Sequence, residues 1–107
     1  MIRVCVKRTA GHVINVVVRG HAGNAPKGED IICAAVSVLV QTFLFSLQRL
    51  LQLDVTADIR DGYFNLTVPT NLVPAVQEQV TLLADSMIVG LDEIDKSYPG
   101  FLQVNEE

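Results

Sequence analysis

Two side chains able to do covalent chemistry, His21 and Cys33, stand at the two ends of one short polar loop. A thiol attacks as the thiolate, which is favoured beside an imidazolium or near the unpaired N–H groups of a helix N-terminus. The stretch 19–37 reads Arg-Gly-His-Ala-Gly-Asn-Ala-Pro-Lys-Gly-Glu-Asp-Ile-Ile-Cys-Ala-Ala-Val-Ser. A β-branched run (Val16, Val17, Val18) ends at Gly20-His21, and Gly23, Pro26 and Gly28 punctuate the loop that follows. An apolar helix then begins near Asp30. With Asp30 as its N-cap, Cys33 falls in the first turn, where the same N–H groups could hold an oxyanion. His21 could fold back from the far end of the loop as general base. Ser37 lies one helical turn after Cys33 on the same face, placed to orient a partner or substrate.

Read residue by residue, blander assignments stay open. A Cys in an apolar helix is commonly a small core residue, and a lone His after a strand commonly belongs to a turn. A metal site would need Cys5, His12, His21 and Cys33, none of them at close ligand spacing. Gly20, Gly23 and Gly28 lack the Gly-Lys-Ser/Thr of a phosphate loop. Cys5 reads as an inert buried thiol in mid-strand, and His12 as a hairpin-turn residue.

The elements around the loop are those of one domain spanning 1–107. Half of the chain is hydrophobic, its net charge is −4, and its eight basic residues are scattered, a balance that argues against direct nucleic-acid binding. Residues 2–8 alternate, with Ile2, Val4 and Val6 opposite Arg3, Cys5 and Lys7. Thr9-Ala10-Gly11 turns the chain into a second strand, His12–Arg19, with Ile14, Val16 and Val18 on one face and Val13 on the other.

The first helix is expected from Asp30 to about Leu53. Its apolar run approaches membrane-spanning length, but Ser37, Gln41, Thr42, Ser46, Gln48, Arg49 and Gln52 make it a core helix rather than a span. Only a narrow polar stripe interrupts it, so it needs cover on two sides. Val55–Arg60 and Tyr63–Val68 flank Asp61-Gly62, a type I′ hairpin signal. Asn71 is the expected cap of a second, amphipathic helix, with Pro74 in its first turn and Pro99-Gly100 at its end. Phe101–Val104 could add a short strand. The order is ββαββα with a possible closing strand, an α+β fold with an antiparallel-rich sheet and two long helices. The cysteines and the absence of an export signal suggest a reducing, cytoplasmic setting with no membrane partner.

Gly20-His21-Ala22, Gly28 and Asp30-Ile31-Ile32-Cys33-Ala34-Ala35-Val36-Ser37 together resemble the signature of the bacterial ribosomal-processing cysteine proteases. The element order, the length and the Tyr98-Pro99 after the last helix fit across the chain. The resemblance implies a cytoplasmic, homodimeric endopeptidase that trims a short N-terminal extension from a large-subunit ribosomal protein and uses no metal or organic cofactor. By the same resemblance Cys33 is the nucleophile and His21 its base, with Asp30 and Ser37 in support. The loop Ala22, Gly23, Asn24, Ala25, Pro26, Lys27, Gly28 and Glu29 would cover the site, with its glycines as hinges. The substrate pocket should be apolar, because the family's extensions end in aromatic and apolar residues. A two-fold interface on the first helix would cover its second apolar side. The rival reading is a non-catalytic dimeric adaptor of ribosome assembly that uses the loop only to bind peptide.

Overall fold

The computed structural model describes residues 1–21 and 27–107, and of residues 27–30 the backbone alone. Five strands and two helices follow in the order β1 (Ile2–Thr9), β2 (His12–Arg19), α1 (Lys27–Arg49), β3 (Ala57–Arg60), β4 (Tyr63–Thr67), α2 (Pro74–Ser97) and β5 (Leu102–Glu106). The sheet order is β3-β4-β2-β1-β5. All pairings are antiparallel except that of β1 with β5, so the closing strand returns beside the first.

Register explains the layering. Val4 pairs with Val18 and Val104, Val18 with Phe64, and Val6 with Val16, which in turn pairs with Leu66. These rows form one core with Ile32, Val36, Val40, Phe43, Leu44 and Leu47 of α1 and Val80, Ala84, Met87 and Leu91 of α2. Both helices therefore cover the same face. The opposite rows, Arg3–Arg19–Tyr63–Arg60 and Cys5–Val17–Asn65–Asp58, lie on the uncovered face. Arg8 fastens β1 to its neighbours by donating to Asp85 Oδ1 of α2 at 2.6 Å and Glu106 Oε1 of β5 at 2.8 Å. Those bonds, Asp85 first, hold the guanidinium's pKa above its ordinary value.

Several local expectations are corrected. Register slips between Lys7–Asn15 and Arg8–Val13, a β-bulge that sends Val13 into the core and leaves Ile14 half-buried. His12 opens β2 instead of sitting in the turn, and its Nδ1 lies 3.3 Å from Thr81 Oγ1 of α2. The first turn is carried by Ala10 and Gly11, at φ 52° and 81°. In the β3–β4 turn only Gly62, at φ 66°, is left-handed; Asp61 is not, so the pair is not type I′.

The helix ends also shift. α1 starts at Lys27, before Asp30, and stops at Arg49 as the chain wraps through Gln52 (φ 55°), with Leu53 N–H donating to Leu47 O at 3.0 Å. The cap of α2 is Val73, not Asn71, and it makes no side-chain capping bond. Pro74 sets this boundary, because the residue before a proline is forced into the extended region, where Val73 lies at ψ 151°.

Ile31–Arg49 has a mean hydropathy of 2.0 and is long and apolar enough to cross a membrane. The core helix of a soluble protein passes the same test, and one side of α1 packs onto the sheet.

Candidate active site

β2 ends at Arg19, and Gly20 turns the chain toward the site. Its φ of 104° and the approach of Met1 O, where a Cβ would stand, leave glycine as the residue that fits. The Gly20 N–H donates to Gly62 O at 3.0 Å, which ties the end of β2 to the β3–β4 turn. His21 follows, its side chain about half exposed.

Across from it, Cys33 is half-buried on α1 and packs against the core. His21 and Cys33 line one cleft of about 220 Å³ between α1 and the β3–β4 end of the sheet. Ser37 lines the same cleft, as does Gln41 one turn further along α1. Buried Ile2, Val36, Val40 and Phe64 give it an apolar floor. Arg60, Asp61, Gly62 and Tyr63 bring polar groups to its wall, so the expected apolar pocket has a polar side.

The turn approaches His21 closely. A Cβ on Gly62 would collide with His21 Nε2 and stand 2.7 Å from Cε1 and 2.9 Å from Cδ2, so the imidazole lies directly over that glycine. Asp61 Oδ2 lies 3.7 Å from His21 Nε2, an ion-pair distance when the ring is protonated. Next along β4, the Tyr63 ring has the Arg60 guanidinium 4.5 Å and that of Arg19 5.5 Å from its centroid.

The start of α1 at Lys27 changes the electrostatics expected of Cys33. The backbone N–H groups that an α-helix leaves unpaired belong to its first four residues, here 27–30, and Cys33 lies beyond them. Asp30 is inside the helix rather than at its cap, and its side chain lies outside the described residues. So do Ala22, Gly23, Asn24, Ala25 and Pro26 of the loop, and the side chains of Lys27, Gly28 and Glu29. Among the described residues, no three His, Cys, Asp or Glu side chains are grouped to hold a metal ion.

A family model described as Cysteine protease Prp matches residues 1–103. The chain belongs to the Prp family of cysteine proteases. It is 30% identical to the ribosomal processing cysteine protease Prp of Bacillus subtilis, over 97% of this chain and 96% of that protein. Identity to the Staphylococcus aureus protease of the same name is 28%, over 89% of this chain and 88% of that one. Among solved structures, SMU.848 from Streptococcus mutans superposes with a TM-score of 0.81 at 28% identity, covering 99% of this chain and 93% of that one. The S. aureus protease in complex with a substrate peptide gives a TM-score of 0.84 at 23% identity, with 100% of both chains covered, a likeness of fold.

The sequence pattern named His21, Cys33 and Ser37, and the fold brings all three to one cleft. It missed Gln41, Arg60, Asp61, Gly62 and Tyr63. Asp61-Gly62 is legible only as a turn, and it reaches His21 because β4 pairs with β2 across forty-odd residues of chain, as in the partners Arg19 and Tyr63.

Proposed function

We propose that the protein is an endopeptidase in which Cys33 is the nucleophile and His21 the general base and acid. The carrying observation is that one cleft is lined by both side chains, with an apolar floor able to take the side chains of a peptide. His21 takes the Sγ proton, and the thiolate attacks the scissile carbonyl carbon. The carbonyl π electrons move to oxygen, giving a tetrahedral oxyanion. That intermediate collapses as the C–N bond breaks, and the imidazolium delivers its proton to the departing amine. A thioester remains on Cys33. Water, relieved of a proton by His21, adds to it, and the C–S bond breaks to release the new carboxyl end and restore the thiol.

Oxyanion stabilisation falls to donors around the carbonyl. The side chains of Ser37 and Gln41 on α1, which line the cleft, are the candidates. Asp30, at the start of the same helix, keeps a supporting role in this reading, and residues 22–29 the role of covering the bound peptide. The substrate is the N-terminal extension of a large-subunit ribosomal protein, and the enzyme works in the cytoplasm as a homodimer. The family membership and the peptide complex of the S. aureus relative support this reading.

The test is incubation with the host's large-subunit ribosomal protein carrying its extension, with intact mass as readout. The wild type should make one cut, and Cys33→Ala and His21→Ala should make none. Binding without any cut by the wild type would return the assignment to an adaptor.

A further inference from the structure

We propose that the β3–β4 turn is the seat of the catalytic base: Gly62 supports the His21 imidazole and Asp61 is a positioning residue acting on its Nε2. This rests on His21 serving as the base and adds what holds it there. Three contacts converge on the same point. The ring lies over the Gly62 Cα, leaving no room for a Cβ. The backbone on the N-terminal side of the ring is fixed to the turn through Gly20 N–H and Gly62 O at 3.0 Å. The Asp61 carboxylate stands 3.7 Å from Nε2 and also lines the cleft.

The chemistry follows from which nitrogen is engaged. A carboxylate facing Nε2 favours a proton there, which leaves Nδ1 as the nitrogen able to accept the thiol proton. It also faces the positive charge that the ring takes on when that proton moves. Among the described residues, the other charged or titratable groups around His21 are Cys33 and Tyr63 in the same cleft, Arg60 beside Asp61, Arg19 over Tyr63, and the Met1 amino group, 3.4 Å from the His21 carbonyl. The Asp61 side chain is 98% exposed, so water and salt screen its pull. Its electrostatic effect is therefore modest, and the greater part of the seat is the shape of Gly62.

The experiment reads which ring nitrogen of His21 carries the proton, by 15N NMR of the neutral imidazole in the full chain, in wild type and Asp61→Asn, at low salt and at 1 M salt. Removing the charge should reduce the preference for a proton on Nε2 by about two- to five-fold at low salt and by nothing measurable at high salt. Equal tautomer ratios at low salt overturn the role of Asp61. For the glycine, Gly62→Asn adds a Cβ while tolerating the left-handed backbone better than Gly62→Ala does. On a peptide spanning the extension, Gly62→Asn should lose at least tenfold in kcat with little change in KM and with its urea midpoint near that of wild type. Full kcat in Gly62→Asn overturns the seat. The tautomer ratio reads the Asp61 contact even in a protein that cuts nothing, so failure of the protease reading would show separately, as no cut by the wild type.

Discussion

At the scale of single residues, the two cysteines contrast in what surrounds them. Cys33 lines the cleft with His21, whereas Cys5 lies on the uncovered face of the sheet, its Sγ donating to Glu107 Oε1 at 3.2 Å. Desolvation, then the hydrogen bond and negative charge of Glu107, push the Cys5 thiol above its ordinary value of 9.0. At pH 7 iodoacetamide should therefore label Cys33 well before Cys5, and Cys5→Val should leave the fast phase of labelling intact. The raised value also links Cys5 to stability. The folded state keeps a proton that the unfolded chain releases above pH 9.0, so stability falls as pH rises from there through the folded pKa. Urea midpoints compared at pH 8 and pH 10 should drop less for Cys5→Val than for wild type. The placement of Cys5 was legible, since alternation groups it with Arg3 and Lys7 and away from Ile2, Val4 and Val6. Reading it as buried followed the usual habit of cysteines instead of that alternation.

Elements were legible where hydrophobic period and turn residues agree, and their ends were not. Both hairpins and both helices stand where the pattern put them, but the bulge at Ile14 broke the alternation of β2, a slip that only the partner strand reveals. At α2 the polar Asn71 looked like a cap, yet Pro74 decides the boundary through Val73. Val73 is exposed, has extended backbone and makes no side-chain bond to the helix, and no acidic residue lies in the first turn. Val73→Asp should supply the missing acceptor at the positive end of the dipole, raising stability by about 0.5–2 kcal/mol in urea unfolding. An unchanged midpoint would mean that those N–H groups already have equivalent partners. Packing makes the opposite prediction inside α1. Leu47 is fully buried between the helix and the sheet, and Leu47→Ala should cost about 2–5 kcal/mol in the same assay.

For the whole molecule, the decisive feature is what α1 does with its few polar residues. Ser37 and Gln41 face the cleft, and Gln48 donates to Val55 O at 2.9 Å, so the polar stripe is spent on the site and on the chain leading to β3. The row left toward solvent is Ile31, Val38 and Phe45, exposed by 60, 64 and 42% and spaced two turns apart. Sequence alone showed an over-apolar helix but not which side would stay uncovered, because that depends on where the cleft opens. Apolar residues at a two-turn spacing make a self-complementary ridge, and a two-fold axis across it would bring the same row of a second copy against it. Val38→Arg places a charge in the middle of that row, at a position where the monomer's own core is untouched. Sedimentation equilibrium at tens of micromolar should show wild type as a dimer and Val38→Arg as a monomer with unchanged helix content. A wild type that sediments as a monomer would remove the homodimer from the proposed function. The endopeptidase assignment would survive, because Cys33 and His21 of one chain line the same cleft.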